Sequence, residues 1–460
     1  MIALTLAEIA AATGGELVDA PDPGAVVTGP VVVDSRSSTP GALFVAVRGE
    51  RVDGHDFAGA AVAAGAVAVL AARPLGIPAV VVPDVVAALG LLARAVLDRA
   101  PGVAVVGITG SSGKTSTKDL LAAVLERHGP TVAPAGSFNN EIGLPLTVLG
   151  VAEDTRHLVV ELGARGLGHI AALCAIAPPT VAMVLNVGSA HLGEFGSREV
   201  VAATKGELVE ALSADGVAIL NADDPLVRAM AERTAGRVVT TGWDPGADVR
   251  AEDLTFSDTG YPRFRLVAGA ASESITLRVL GEHQVANALA AAAAALALGM
   301  ALPEIAAALS EAGPRSRWRM ELTERPDGVT IVNDAYNANP ESVRAALKAL
   351  VTLAGARRTW AVLGEMRELG ADAVREHDAV GRLAVRLDVS RLVAVGAGTR
   401  PLHLGAVMEG SWGKESVHVP DIDAALLLLR EELLPGDVVL IKASRAGGLE
   451  RLAQALLDCP

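Results

Sequence analysis

Short apolar runs alternate with longer segments of helical periodicity along most of this chain. In the middle part the clearest runs are "VAVVGITG", "HLVVELGA", "VAMVLNVG" and "GVAIL", with helical segments between them. The last third repeats the rhythm with "TWAVLG", "RLVAVG" and "DVVLIKAS". Buried strands that alternate with helices are typical of parallel β-α units. The pattern therefore predicts an α/β protein built mainly on parallel sheets.

Interruptions in this rhythm divide the chain into three predicted domains. The first, residues 1–98, has mixed αβ character and ends in the helical run "VVAALGLLARAVLDRA", which a Pro-Gly pair follows. The second boundary falls within "GPRSRWRMEL", so we expect a parallel-sheet domain over 99–316 and another α/β domain over 317–460. Residues 242–280 alternate polar and apolar positions, which predicts a small antiparallel insert in the central domain.

Composition and charge argue against several classes of protein. The net charge of -14 and the 12 aromatic residues (6 Phe, 4 Trp and 2 Tyr) argue against nucleic-acid binding, which needs clustered Lys and Arg and stacking side chains. The two cysteines, Cys174 and Cys459, are far apart and indicate no disulfide framework. The first residues lack the basic region of a signal peptide, and the uncharged run 285–302 is mostly alanine, which favours a packed helix over a membrane span. We expect a cytoplasmic protein with no transmembrane segment.

The string "GITGSSGKTSTKD" has the composition of a phosphate-binding loop. A strict loop of this kind carries glycine five residues before Gly113, where this chain has Ile108, and the glycine stands instead at Gly110. The context is still a strand, a glycine-rich turn and a helix start, whose N–H groups attract phosphate oxygens. Lys114 can add charge at the phosphates, and the Thr115 hydroxyl can bind Mg²⁺. We predict a nucleotide site with a shortened cradle rather than an ordinary glycine turn.

Two further residues of the central part, Glu161 and His191, suggest a metal site, although each also has a structural interpretation. Glu161 ends one predicted strand and His191 follows another, at the edge where open α/β sheets bind ligands. A carboxylate and a hydroxyl suit Mg²⁺, whereas imidazole is a less usual ligand. Lys205 would be repelled by such a metal, so its local pattern favours pairing with Glu207 or Glu210 on a helix surface.

The string "NDAYNANPESVRAAL" combines amide side chains with a helix start. Asn339 and Pro340 are typical of a capped helix N-terminus. The same amides, placed after a strand, also suit hydrogen bonding to a purine and a ribose.

Together these strings resemble the Mur ligase family over nearly the whole chain. The first domain carries "DSRSSTPGALFVAVRGERVDGHDF", the central one "TGSSGKTS", "FNNEIGLPLT", "ELGA", "AHLGEFGS", "TKGE" and "GEHQVANALAA", and the last one "NDAYNANP", "LGEMRELG" and "KASR". The resemblance implies an N-terminal domain that binds a UDP-sugar, a central P-loop ATPase-like domain that binds ATP, and a C-terminal Rossmann-like domain that contacts the dipeptide and adenosine.

The resemblance also implies roles for individual residues. It assigns catalytic roles to Lys114, Lys205, His191 and Glu161, and metal binding to Thr115, Glu161, His191 and Lys205. The implied ATP-binding residues are Gly110, Ser111, Ser112, Gly113, Lys114, Thr115, Ser116, Asn287, Arg319, Asp334 and Asn337. The implied substrate-binding residues are Ser35, Arg36, Asn139, Asn140, Lys442, Ser444 and Arg445. In the family the lysine at the position of Lys205 is carbamylated by CO₂, which makes its side chain an anion that can lie beside Mg²⁺. The resemblance therefore implies a metal ligand at Lys205 instead of a surface pair with Glu207 or Glu210.

The implied activity is an ATP- and Mg²⁺-dependent amide ligation in peptidoglycan synthesis, a process on which cell shape and division depend. D-alanyl-D-alanine would be joined to the terminal carboxylate of UDP-N-acetylmuramoyl-tripeptide through an acyl phosphate, by an enzyme that we expect to be a monomer. The "DAYNANP" string and the absence of a D-N-P-R string argue against the family member that adds the third residue. The "DSR…DGHDF" region argues against folylpolyglutamate synthetase, and the intact lysines and ligands argue against a non-catalytic nucleotide-binding partner.

Overall fold

The computed structural model describes residues 1–49, 51–188, 195–410, 413 and 415–458. In the described residues three large sheets follow one another along the chain, and a two-stranded ladder accompanies the first of them. The strands of the large sheets lie within 16–81, 104–276 and 321–442, so each sheet falls inside one predicted domain. The α/β class with three sheet-based parts is confirmed, whereas the boundaries after residues 98 and 316 stay predictions.

The N-terminal part is a five-stranded sheet with three helices. Its sheet order is β2-β7-β6-β5-β4, all parallel except β2, and β1 pairs with β3 outside it. The strands are β1 (Leu4–Thr5), β2 (Glu16–Val18), β3 (Val26–Val27), β4 (Val31–Val32), β5 (Leu43–Val45), β6 (Ala68–Ala71) and β7 (Ala79–Val81). The helices are α1 (Leu6–Thr13), α2 (Ala58–Ala63) and α3 (Val85–Asp98). Asp84 caps α3 by accepting the N–H groups of Val86 and Ala87, which starts the predicted helix at its first apolar residue.

The central part is a nine-stranded sheet in the order β16-β15-β14-β13-β12-β11-β8-β10-β9. Its strands are β8 (Ala104–Thr109), β9 (Thr131–Val132), β10 (His157–Glu161), β11 (Val181–Val184), β12 (Val217–Asn221), β13 (Arg237–Gly242), β14 (Val249–Phe256), β15 (Pro262–Ala268) and β16 (Ala271–Thr276). Pairing is parallel from β9 to β14 and antiparallel through β15 and β16. The predicted antiparallel segment therefore exists, and it extends the main sheet at one edge.

Seven helices of the described central part cover this sheet. They are α4 (Lys114–Leu125), α5 (Gly143–Val148), α6 (His169–Ile176), α7 (Arg198–Glu210), α8 (Pro225–Arg228), α9 (His283–Ala297) and α10 (Leu302–Glu311). The alanines of α9 from Ala290 to Ala295 are almost completely buried, because their small side chains let the helix pack closely within the core. In the described part of the chain, none of the helices has both the length and the apolar character needed to cross a bilayer.

The C-terminal part is a six-stranded sheet in the order β17-β18-β22-β19-β20-β21, parallel except for β17. Its strands are β17 (Glu321–Glu324), β18 (Thr330–Asn333), β19 (Thr359–Leu363), β20 (Arg391–Val395), β21 (Ser416–Val419) and β22 (Val438–Lys442). Its helices are α11 (Pro340–Ala354), α12 (Ala373–Arg386), α13 (Arg400–Glu409), α14 (Ile422–Glu432) and α15 (Glu450–Leu457). The helix start predicted at Asn339-Pro340 is confirmed, with Asn339 and Ser342 forming a reciprocal cap.

Short 3₁₀ turns of the described residues lie at Ser35–Ser37, Gly54–Phe57, Ala229–Arg233, Gly370–Asp372, Ala397–Thr399 and Arg445–Gly447. The carboxyl ends of β8, β10 and β11 lie side by side because these strands are parallel neighbours. An open parallel sheet binds its ligands at this edge.

Candidate functional site

The loop between β8 and α4 has the geometry of an anion cradle. Gly113 precedes α4 with φ +83°, and a Cβ there would lie 2.5 Å from Oδ1 of Asn287. Only glycine fits this combination of left-handed backbone and close approach. The first N–H groups of α4 have no partners within the helix, so the helix start can bind an anion.

Asn186, which follows β11, holds the loop from the neighbouring strand. Its carbonyl accepts the N–H of Ser111 at 3.2 Å, and its side-chain Oδ1 accepts the N–H of Ser112 at 2.9 Å. Its Nδ2 donates to the carbonyl of Ser112 at 3.2 Å. Ile108 is buried inside β8 rather than in the turn. The cradle is therefore shorter than the strict motif and is made rigid by a neighbouring strand.

Lys114, Thr115 and Glu161 meet behind this loop. The Thr115 hydroxyl lies 3.2 Å from Oε2 of Glu161 and 2.8 Å from Oγ of Ser137, and Lys114 Nζ donates to the carbonyl of Gly110 at 2.7 Å. Glu161 is fully buried, and within the described residues its Oε1 has no hydrogen-bond partner. Burial raises the pKa of Glu161, against the opposing charge of Lys114, and burial also lowers the pKa of Lys114. A buried carboxylate oxygen without a partner, beside a hydroxyl, is a fitting oxygen donor set for a hard cation.

Lys205 lies in α7 and lines the same cleft as Lys114 and Thr115. It is buried, and burial, together with the charge of Lys114, lowers its pKa well below the usual value. The surface pair of Lys205 with Glu207 or Glu210, which the local pattern favoured, is wrong. Glu207 accepts the N–H groups of Gly168 and Ala171. Glu210 pairs with Arg233. The lysine faces the interior because α7 packs on the central sheet, which its local sequence spacing does not reveal.

Arg319 brings the C-terminal part to the phosphate loop. Its Nη2 lies 3.2 Å from Oγ1 of Thr115 and 3.3 Å from Oγ of Ser137, and its guanidinium stacks on Tyr336 at 4.2 Å from the ring centroid. The stacking fixes the plane of the guanidinium while leaving its N–H donors available.

Asp334, Asn337 and Lys442 form a second buried polar group. Lys442 Nζ donates to Oδ2 of Asp334 at 2.5 Å and to the carbonyl of Asn337 at 2.9 Å, and Asp334 Oδ1 accepts the N–H of Met320 at 3.1 Å. Burial lowers the pKa of Lys442, although Asp334 acts in the opposite direction. Nearby, burial lowers the pKa of His283 to about 4.

Two neighbouring cavities contain most of the predicted site residues. The larger, about 600 Å³, is lined by Asn287, Arg319, Asp334 and Lys442 among others. The smaller, about 320 Å³, is lined by Gly110, Ser111, Ser112, Gly113, Lys114, Thr115, Ser116, Asn139, Asn140, Lys205, Arg319 and Asn337 among others. Ser112, Gly113 and Ser116 line both cavities, so the phosphate loop lies between them.

Other predicted residues lie apart from these cavities. Ser35 and Arg36 belong to an N-terminal 3₁₀ turn, where the exposed Arg36 guanidinium pairs with Asp34. Ser444 Oγ accepts the N–H of Arg367 at 2.9 Å, and Arg445 stacks on Trp318 at 4.2 Å.

The predicted metal ligands are only partly described. His191 lies outside the described residues, and among the described residues no three His, Cys, Asp or Glu side chains cluster as a metal site. Sequence reasoning missed Ser137, Asn186 and the stacking role of Tyr336. Ser137 directly precedes the "FNNEIGLPLT" string, and Tyr336 lies inside "NDAYNANP", so adjacency to these strings was the available signal.

Comparison with known proteins places this geometry in a family. Residues 108–295 match the Mur ligase middle domain, 318–445 the Mur ligase glutamate ligase domain, and 30–100 the Mur ligase family catalytic domain. The UDP-N-acetylmuramoyl-tripeptide–D-alanyl-D-alanine ligase of Mycobacterium tuberculosis is 53% identical over 99% of this chain and 98% of that protein. The Escherichia coli ligase of the same name is 35% identical over 100% and 99% of the two chains.

Solved structures agree with this placement. A crystal structure of MurF from Acinetobacter baumannii has a TM-score of 0.89 at 32% identity and covers 99% of each chain. A crystal structure of MurF ligase from Thermotoga maritima in complex with ADP has a TM-score of 0.81 at 31% identity, covering 94% of this chain and 98% of that one. The chain belongs to the Mur ligase family, within the group of UDP-N-acetylmuramoyl-tripeptide–D-alanyl-D-alanine ligases.

Proposed function

We propose that this chain uses ATP to join D-alanyl-D-alanine to the terminal carboxylate of UDP-N-acetylmuramoyl-tripeptide, forming a peptidoglycan precursor. The observation that carries the proposal is 53% identity, over nearly the full length of both chains, to a ligase of that name. The convergence of Lys114, Thr115, Glu161 and Arg319 at one end of the phosphate loop supports it.

ATP would span the two cavities. The family membership and the ADP complex of the Thermotoga maritima enzyme support ATP use. We place the nucleoside in the larger cavity, where Asn287 and Asp334 offer polar side chains, and the terminal phosphate at the start of α4 beside Lys114. The smaller cavity, lined by Asn139 and Asn140, would then hold the carboxylate of the acceptor peptide.

The residues present fit a magnesium ion. The unpartnered Oε1 of Glu161 and the Thr115 hydroxyl would hold it, and it would supply positive charge to the phosphate oxygens.

Lys205 fits the proposed carbamate. Its lowered pKa favours the neutral amine, whose Nζ can form a bond to CO₂ with release of one proton. The product is an anion, which removes the repulsion between this lysine and a bound cation. We expect Lys205→Ala to lose ligation and short carboxylic acids to restore part of it; full activity of the variant without added acid would contradict the carbamate.

The reaction then has two steps. The tripeptide carboxylate attacks the terminal phosphorus of ATP, the bond to the ADP oxygen breaks, and an acyl phosphate forms. The amine of D-alanyl-D-alanine attacks the acyl carbon, phosphate leaves, and the nitrogen loses a proton to give the amide. Lys114 and Arg319 reduce the repulsion between the reacting anions by placing positive charge at the loop. The acyl phosphate must be kept from water, which an enclosed cleft achieves.

No observation favours a different amide ligase. The solved third-residue ligase, which adds 2,6-diaminopimelate, shares 20% identity with a TM-score of 0.55, a likeness that extends to the fold alone. We also propose a cytoplasmic location, since the cosubstrate is ATP. The monomeric state stays a prediction.

The test is ADP and phosphate release by the full chain with a panel of nucleotide-sugar peptides, each with and without D-alanyl-D-alanine. We expect release that requires both the tripeptide and the dipeptide, with the pentapeptide identified by mass. Release that does not depend on the dipeptide, or release only with a dipeptide-acid acceptor and diaminopimelate, would refute the proposal. No release with any substrate would favour a non-catalytic nucleotide-binding protein.

A further inference from the structure

Lys118 is a fully buried cation that the proposed reaction does not use. It lies in α4, and only 1% of its surface is exposed. A buried ammonium is costly unless all three of its N–H donors find acceptors. Its acceptors therefore indicate what the residue is for.

The three acceptors come from three different segments. Lys118 Nζ lies 2.5 Å from Oδ1 of Asp119 in its own helix, 2.7 Å from the carbonyl of Pro134 and 3.4 Å from Oγ of Ser316. Pro134 belongs to the loop that follows β9, and Ser316 belongs to the connection between the central and C-terminal parts. One side chain thus joins the phosphate-loop helix, a neighbouring loop and the interdomain connection.

Each of these segments also supplies one residue to the reaction centre, at the same offset of three residues. Thr115 precedes Lys118 by three, Ser137 follows Pro134 by three, and Arg319 follows Ser316 by three. Thr115, Ser137 and Arg319 contact one another within 3.3 Å. In a helix, residues three apart share a face, so Lys118 lies one turn below Thr115. The segments therefore meet twice, once at the reaction centre and once at Lys118.

The 316–319 connection is held by a hydrogen bond to α4, and its backbone is strained on both sides of Arg319. Asp119 Oδ2 accepts the N–H of Ser316 at 3.0 Å. Trp318 and Met320, on either side of Arg319, have φ of 59° and 53°. Left-handed backbone at bulky residues persists only where the surroundings hold it, and it is typical of functional segments.

We infer that Lys118, supported by Asp119, is a positioning residue of the ligase. It aligns the 134–137 loop and the 316–319 connection with the phosphate loop, so that Ser137 and Arg319 both reach Thr115. The inference rests on the proposed function, because its consequence is measured as turnover.

The test is a double-mutant cycle with Lys118→Met, Arg319→Ala and the double variant, with Lys348→Met as the control because Lys348 is an exposed lysine of α11. We expect Lys118→Met to lower kcat on the order of 100-fold, the effect of a displacement of about 1 Å near the reacting groups. Affinity for ADP, measured by calorimetry, should change little, because the α4 start is intact. The double variant should be no slower than Arg319→Ala, since both act through the same contact.

Several outcomes separate positioning from a purely structural role. A Lys118→Met enzyme with wild-type kcat and a lowered melting temperature overturns the inference. It is also overturned if the fold-decrease in kcat of the double variant equals the product of the two single decreases. If Lys118→Met does not fold, Asp119→Asn keeps the side-chain size while weakening the same anchor, and it must show the same non-additivity with Arg319→Ala. Wild-type enzyme that forms no pentapeptide contradicts the proposed function, whereas wild-type and Lys118→Met enzymes that ligate equally well contradict this inference alone.

Discussion

The central domain meets its two neighbours through junctions that differ in character, one mainly apolar and one rich in polar contacts. On the N-terminal side, Leu89, Leu92 and Val96 of α3 are fully buried in one apolar core with Leu144 of α5 and Leu173 of α6. On the C-terminal side, several of the described contacts are hydrogen bonds and ion pairs, and Leu280 and Tyr261 of the central part also pack against the C-terminal core. Examples are Asn339 to Ser111 and Arg319 to Thr115. The pairs Lys118 to Ser316 and Arg315 to Glu126 hold the connection that leads into the C-terminal part.

The difference follows from what each junction has to do. Separating the apolar junction would expose a continuous core to water, and apolar burial is the main stabilising contribution in folding. Hydrogen bonds at the polar junction exchange with water at a small net cost. We therefore expect the N-terminal and central domains to unfold as one unit. The reaction centre lies instead at the junction where directional hydrogen bonds can exchange with water.

The largest expected effect lies at the polar junction. Lys114→Ala removes the positive charge beside the phosphate loop, and we expect turnover to fall by at least about 1000-fold, since donors aimed at developing charge carry much of catalysis. The melting temperature should change little, because Lys114 is only partly buried and lines the smaller cavity. ADP release with both substrates measures this, with Lys348→Ala as the exposed control. Near-normal ligation by Lys114→Ala would refute the assignment of the phosphate loop.

The second prediction concerns the apolar junction. Leu92→Ala should lower the free energy of unfolding by about 2–5 kcal/mol, because it removes buried methyl groups and leaves a cavity. Turnover per folded molecule should stay at the wild-type value. Leu91→Ala is the matched control, since Leu91 is 53% exposed and surface changes alter stability by about 0.5 kcal/mol or less. If Leu92→Ala abolishes turnover while stability is unchanged, the two junctions do not differ as argued.

The third prediction concerns the central domain, which takes part in both junctions. We expect its free energy of unfolding to decrease at low pH. Burial, with the charges of His128 and Arg156, lowers the pKa of His157 from 6.5 to about 4. Between these values the unfolded chain binds a proton that the folded chain does not, so stability falls as pH decreases from about 6.5 to about 4, by at most about 3 kcal/mol.

Calorimetry over this pH range measures the effect. We expect the N-terminal and central domains to unfold together at a decreasing temperature. His157→Gln should remove the part of this pH dependence that His157 contributes, while His283, whose pKa is also lowered to about 4, keeps its own part. Separate transitions of these two domains at low pH would contradict the single apolar unit.

The same contrast explains what the sequence could predict. Local patterns predicted the parallel strands, the α9 alanine helix and the Asn339 cap, because periodicity and capping depend on neighbouring residues. The phosphate loop was also predictable, since its glycine, lysine and helix start are consecutive. Asn186 and Ser137 were not, because their contacts join residues 22 to 182 positions apart. The burial of Lys205 is likewise a property of packing rather than of local spacing.

The smallest expected effect is at the exposed edge of the polar junction. Arg315 pairs with Glu126 through two hydrogen bonds of 2.6 and 2.7 Å, and both side chains are more than 40% exposed. Exposed ion pairs contribute about 0–1 kcal/mol and are screened by salt, so Arg315→Ala should lower stability by less than about 1 kcal/mol and leave kcat unchanged. Arg127→Ala, which breaks another exposed pair close to the end of α4, should behave alike. Chemical denaturation at low and high salt measures both variants. If Arg315→Ala lowered the free energy of unfolding as much as Leu92→Ala, the polar junction would depend on its exposed ion pairs rather than on the buried Lys118. The two junctions would then not differ in the way argued above.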